Sequence, residues 1–297
     1  MTLQHRTSRS TRSTVSSAPA RSRPRRVGAG LGVAIAAAVL LAGCAAGGQP
    51  APSPTERAGA DEPALTGELT IYAAASLSGA FDELAAQFET EHPDLDVVPI
   101  TYDGSSVLAT QLIEGAPADV FASADEKNMA KVLDAGLAES ADDFATNVLE
   151  IVVAPGNPLG IEGLDALADG ATTTADGRPA TVVLCAPEVP CGAASQTLIQ
   201  AAGLTLTPAS EEQNVTAVLT KVKSGEADAG LVYVTDVKAA GDAVEGVEIA
   251  NAADATNVYP LTALSAAPNP EAAAAFVAFV TSKAGQQVLA SFGFGAP

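Results

Sequence analysis

The feature that most constrains this chain is a repeated change of period. Short apolar runs that read as buried strands alternate with stretches whose apolar residues recur at helical spacing. Leu69–Ala74 is the first run. After it, Leu77, Phe81, Leu84 and Phe88 follow at spacings of 4, 3 and 4, one face of an amphipathic helix. Ser76 or Ser78 is expected to cap this helix, Asp82 and Glu83 to lie in or near its first turn, and His92-Pro93 to end it. A strand over Leu95–Tyr102 follows. Asp103–Ser106 then turns into a helix through Gln111–Glu114, and Asp119–Ala122 reads as a short strand. Further strands are expected at Leu149–Ala154, Thr181–Cys185, Ala229–Val234 and Val258–Leu264. Helices are expected from about Gly192 to Ala202, along Val215, Val218, Leu219 and Val222, and over Pro270–Lys283 and Gly285–Ser291. Such alternation implies sheets of parallel type with helices on both faces.

The N-terminus has a different character. Seven Arg, at 6, 9, 12, 21, 23, 25 and 26, precede the apolar run Val27–Ala42, which is too short for a comfortable membrane span. Small residues and Cys44 close it. The arrangement reads as a secretion signal, and Leu41-Ala42-Gly43-Cys44 resembles the lipobox of bacterial lipoproteins, in which the Cys is lipidated and becomes the new terminus. Residues 1–43 are therefore expected to be a signal peptide, with Cys44 lipidated and 44–66 a tether rich in Ala, Gly, Pro and Ser. Arg25-Arg26 leaves the twin-arginine export route open. The expected place is the outer face of the cell membrane. Removing the seven Arg takes the formal net charge from −20 to −27, which argues against nucleic acid as a partner. Roughly 230 residues remain, a length suited to two α/β lobes.

In open α/β sheets ligands sit beyond the carboxyl ends of strands, where helix N-termini point. Ala75-Ser76, Gly104-Ser105-Ser106 and Pro190-Cys191-Gly192 are small, polar junctions of this kind, and Asn214-Val215 adds another helix start. None carries Lys, Arg or His, and none is a Walker or dinucleotide glycine pattern. Helix starts offer unpaired N–H donors and a partial positive charge. Several aimed at one point would hold a small anion at contact distance, while salt screens the global negative field beyond ~10 Å.

At these same junctions the sequence resembles the periplasmic molybdate-binding protein family. The matching segments are Ile71–Leu77, Ser105–Ala109, Gln111–Asp125 with its Gly115-Ala116-Pro117-Ala118-Asp119 block, Ala186–Gly192, Asn214-Val215, Gly230–Tyr233 and Phe292-Gly293-Phe294. The likeness runs in order from Glu68 to the C-terminus. It implies a type II periplasmic-binding-protein fold: two α/β lobes joined by a hinge, with the ligand cleft between them. The lobes would be 67–147 with 258–297, and 148–257. It implies a monomeric, non-enzymatic protein that binds molybdate or tungstate, uses no cofactor and delivers its cargo to an ABC importer permease. Carried over, Ser76 and Ser105 would each offer a hydroxyl and an N–H, Cys191 and Val215 an N–H each, and Tyr233 its phenol. The family often has Ala where this chain has Cys191, a change that a backbone donor tolerates. Cys185 and Cys191, with five residues between them including Pro187 and Pro190, are expected to form a disulfide in an exported protein.

Other readings remain to be weighed. Downstream of the signal His92 is the sole His, so a Cys or Ser nucleophile has no evident base, and Cys185, Cys191 and His92 lack zinc-site spacing. A structural surface lipoprotein would not need the cleft loops. Phosphate calls for a carboxylate acceptor, which the five positions lack. Sulfate has the charge and shape of molybdate in a smaller body, and only cavity size and donor placement would reject it.

Overall fold

The structure is a computed structural model that describes residues 64–297. The expected signal peptide, Cys44 and the tether as far as position 63 lie outside the described residues. In chain order the first elements are β1 (Gly67–Leu69), β2 (Ile71–Ala74), α1 (Ser78–Glu91), β3 (Leu95–Val97), β4 (Thr101–Asp103), α2 (Ser105–Ile113), β5 (Val120–Ala122), α3 (Glu126–Asp134) and β6 (Asp142–Asn147). A second group follows: β7 (Leu149–Val153), β8 (Val182–Cys185), α4 (Pro190–Ala201), β9 (Ser210–Glu212), α5 (Val215–Lys223), β10 (Ala229–Tyr233), α6 (Val234–Ala240) and β11 (Glu245–Val247). The chain then returns through β12 (Asn257–Ala263) to α7 (Pro270–Thr281) and α8 (Lys283–Phe292).

Two five-stranded sheets result, ordered β4-β2-β5-β12-β6 and β9-β8-β10-β7-β11, beside a small β1-β3 pair. Both sheets have the same plan. Three strands run parallel, a fourth runs against its neighbours, and a fifth pairs with that one. The expectation of parallel-type sheets is corrected here: β7 and β12 are antiparallel to both neighbours. Each arrives directly from the other sheet and has no crossover helix, which a parallel neighbour would require.

The first sheet has a core on each face. Alternation along β5 sends Val120 and Ala122 to one side and Phe121 to the other. Phe81, Phe88 and Phe276 pack edge-on or tilted on the first side, with Phe144 against Phe81. Leu108, Leu112, Met129 and Val132 join Phe121 on the second. The other lobe closes over Ile151, Val183, Leu198, Val218 and Leu231. Each fully buried side chain of this size stabilises by about 1.5–3 kcal/mol.

Local deviations have local causes. The run Leu69–Ala74 breaks at Thr70, whose N–H donates to Asp119 Oδ2 at 2.7 Å. Leu95–Tyr102 splits around Pro99, which has no N–H for a ladder. Neither Ser76 nor Ser78 caps α1: Leu77 holds the cap position, with no side-chain bond and no acid in the first turn. Helix α4 begins at Pro190, two residues earlier than expected, because a first-turn proline loses no hydrogen bond. Ser282 accepts from the Gly285 N–H and separates α7 from α8.

Candidate functional site

The parallel strands of both sheets end toward one gap. Ala74 ends β2, Asp103 ends β4, Ala124 lies just past β5, Val189–Cys191 follow β8, Asn214 follows β9 and Tyr233 ends β10. Ser76, Ser105, Cys191, Val215 and Tyr233 all line this gap, whose cavity proper is about 10 Å³. Pockets for drug-sized organic ligands run to roughly 300–1,000 Å³, so the gap is far too tight for such a molecule. Asp103 is the one charged side chain in the lining, and no Lys, Arg or His contributes.

Helix starts supply donors from both lobes. Ser105 is the first residue of α2, Cys191 the second of α4 and Val215 the first of α5, so each N–H lies in a turn with no intrahelical acceptor. Asn214 caps α5 by accepting from the Ala217 N–H at 2.9 Å, which leaves the earlier amides clear. The buried Ser105 Oγ accepts from the Ala124 N–H at 2.9 Å. Its own proton is thereby left to donate elsewhere. Ser76 lies in a short 3-10 turn between β2 and α1, with its Oγ 3.0 Å from the Tyr259 hydroxyl.

Tyr233 is 1% exposed, and its hydroxyl has no hydrogen-bond partner of acceptable geometry among the described residues, neighbouring Tyr259 included. Burial pushes this phenol well above its ordinary range, so it is a donor at neutral pH. A buried phenol left unpaired costs about 1–3 kcal/mol, and one that lines the cleft is placed to meet a ligand. Its N–H donates to Asp236 Oδ2 at 2.9 Å. Burial pushes the Asp236 carboxyl up to about 7.

The lobes meet across the cleft. Asp103 Oδ1 accepts from the Gly104 N–H and, from the other lobe, from Asn214 Nδ2, both at 2.8 Å. Asn128 Nδ2 reaches the Glu188 carbonyl at 3.5 Å. A Cβ on Gly104 would lie 2.0 Å from the Gln213 carbonyl. Cys185 and Cys191 are disulfide-bonded with Cα atoms 5.7 Å apart, tying the end of β8 to the first turn of α4. Gly192 packs so closely behind this bridge that a Cβ would sit 1.9 Å from the Ala186 carbonyl.

Sequence reasoning missed Asp103, Ala124 and Val189 in the lining, and Tyr259 behind Ser76. Asp103 reads as an ordinary turn residue and Tyr259 as half-buried strand packing; no local signal marks either.

Fold and cleft together define a two-lobed binding protein of the type II periplasmic class. Comparison with known proteins agrees. The chain belongs to the bacterial extracellular solute-binding protein family, whose profile matches residues 69–295. It is 42% identical over 270 residues to the molybdate-binding protein ModA of Mycobacterium tuberculosis H37Rv, covering 90% of this chain and 98% of that relative. The Azotobacter vinelandii periplasmic molybdate-binding protein superposes with a TM-score of 0.62 at 22% identity, covering 77% of this chain and 99% of that one. The sulfate-binding protein SubI of M. tuberculosis H37Rv superposes at 0.64 with 18% identity, over 76% and 86%. At such identities the two structures speak to fold alone, and that fold serves both oxyanions.

Proposed function

We propose that this protein captures molybdate, or the nearly equal-sized tungstate, outside the membrane and delivers it to an ABC importer permease. Residues 67–147 with 258–297 form one lobe and 148–257 the other, and closure about the hinge buries the anion. Ser76 and Ser105 donate hydroxyl and backbone protons from the first lobe. Cys191 and Val215 donate N–H groups from the second, and Tyr233 its phenol. The observation that carries this reading is the small cleft whose uncharged donors come from both lobes, with the orphaned Tyr233 hydroxyl among them. The 42% identity to ModA supports the choice of molybdate. Lipidation at Cys44 holds the monomer at the outer face of the membrane, as its lipobox-like segment suggests.

Calorimetry with molybdate, tungstate, sulfate and phosphate tests this. Molybdate and tungstate should bind tightly and the other two weakly. Because the anion binds only the folded form, it should raise the melting temperature, with a gain of about 2.7 kcal/mol at 100 times the Kd. Tight sulfate binding without a molybdate preference overturns the assignment.

A further inference from the structure

Behind the cleft lies a line of buried polar groups that the five contact positions do not include. Asn147, at the end of β6, places its Nδ2 2.8 Å from Thr235 Oγ1 and 3.4 Å from the Tyr259 hydroxyl. That hydroxyl is in turn 3.0 Å from Ser76 Oγ. Asn147 and Tyr259 are buried, at 4% and 0% exposed.

The direction of these bonds follows from one backbone group. The Val148 N–H can only donate, and its acceptor is Asn147 Oδ1 at 3.0 Å. This identifies the amide oxygen and turns Nδ2, which can only donate, toward Tyr259. The Tyr259 oxygen therefore accepts from Asn147, and its own proton has Ser76 Oγ as its acceptor. Burial pushes the phenol above its ordinary range, so that proton is retained at neutral pH. With a lone pair of Ser76 taken from behind, the Ser76 proton points away from Tyr259. The arrangement at Ser105 is the same in kind: the Ala124 N–H occupies its oxygen from behind at 2.9 Å.

We infer that Tyr259 is a positioning residue for oxyanion binding: the relay Asn147 Nδ2–H to Tyr259 O–H to Ser76 O–H orients the Ser76 hydroxyl as an obligate donor to the anion. The inference rests on the binding reading above. A serine hydroxyl free to rotate presents lone pairs to a dianion as readily as a proton, and the relay removes that choice before the ligand arrives. Both relay residues lie on the strands that carry the chain between lobes, β6 running into β7 and β12 returning from β11. The donor is thus set at the hinge.

The test is a double-mutant cycle on the exported protein, using calorimetry with sodium molybdate and the melting temperature without ligand. Ser76→Ala removes the donor. Tyr259→Phe removes only the orienting hydroxyl and keeps the ring, which packs edge-on against Phe144, Tyr233 and Phe294. Each single change should weaken binding roughly tenfold to a hundredfold, the range for a hydrogen bond to a charged group. The double variant should bind no worse than Ser76→Ala alone, because Tyr259 acts only through Ser76. Losses that multiply, or a Tyr259→Phe protein that binds like the wild type while Ser76→Ala is impaired, overturn the relay and leave the binding reading standing. Wild-type protein that takes up no molybdate overturns both. Asn147→Ala supplies a second reading if Tyr259→Phe lowers the melting temperature: its loss of affinity must likewise vanish in the Ser76→Ala background, and persistence there counts against the relay.

Discussion

Gly104 sits at φ −61° and ψ 137°, a conformation open to any residue, so its lack of a side chain answers to space. The space is filled by the Gln213 carbonyl of the facing lobe. Gly104→Ala should therefore leave the first lobe folded and the unliganded melting temperature unchanged, yet hold the lobes apart and weaken molybdate binding by roughly tenfold or more, since both sets of donors must reach one anion. Titration calorimetry alongside thermal melting checks this, and wild-type affinity would show that the observed approach of the lobes is not the binding form. Ser105→Ala and Tyr233→Phe act on the proposed donors themselves. Each should cost about 1.5–3 kcal/mol of binding, the scale of a hydrogen bond to a charged group, with the ligand-free melting temperature lowered for Ser105→Ala, which strands the buried Ala124 N–H, and slightly raised for Tyr233→Phe. The rise is expected because an unpaired buried hydroxyl is removed. At this scale the sequence carried the positions in its family-like segments. It did not carry Asp103 meeting Asn214, 111 residues away, or Tyr259 meeting Ser76, 183 residues away. Such meetings are products of the sheet order.

Helix starts decide what the cleft offers, and two of them have their own supports. The Cys185–Cys191 bridge ties α4 to the strand before it. Replacing both cysteines with Ser should cost about 2 kcal/mol of stability by the chain entropy of a short closed loop. Affinity should fall as well, because the Cys191 N–H loses its fixed direction; denaturant melts and calorimetry of the double variant measure the two effects separately. At α6 the support is Asp236, buried and bonded to the Tyr233 N–H. Its pKa rises from 3.8 unfolded to about 7 in the fold, first because burial disfavours the charge. A raised acid leaves stability intact below its unfolded value, and stability is then lost as pH climbs toward the folded one. Unliganded wild-type protein should lose stability from this group between pH 3.8 and about 7 and then level off. Asp236→Asn keeps an acceptor for Tyr233 and lacks that slope, so its melting temperature should gain on the wild type across that window; parallel pH curves would contradict the assignment. Elements were legible where apolar spacing was regular, as along Leu77–Phe88. β6, with only Phe144 and Ala145 apolar among its six residues, and the seven-residue α6, whose Val234 reads as a continuation of β10, carried too little periodicity to be seen.

The whole molecule sets a strongly negative protein to capture a dianion. Two lobes were legible from the alternation and length, but the two antiparallel return strands were not, since a crossing between sheets leaves no mark on local periodicity. The charge, by contrast, is read directly from composition and separates two designs by their response to salt. A site lined with Lys or Arg loses affinity as salt rises, because its attraction is itself screened. Here the cleft lining holds no cation, and the chain carries a net charge of −20 that falls to −27 without its N-terminal Arg residues. The long-range field therefore repels the incoming anion, while contact donors hold it once seated. Salt should thus speed association by screening the repulsion, whose reach at 0.1 M ionic strength is only about 10 Å, and leave dissociation of the buried anion nearly constant. Stopped-flow measurement on the Tyr signal, in a chain without Trp, over sodium chloride from roughly 10 mM to 300 mM spans a change in screening length from about 30 Å to under 10 Å. The association rate should rise severalfold across that series. A rate that falls would mean that a cationic patch guides the anion in, and the cation-free design of the cleft would have to be abandoned.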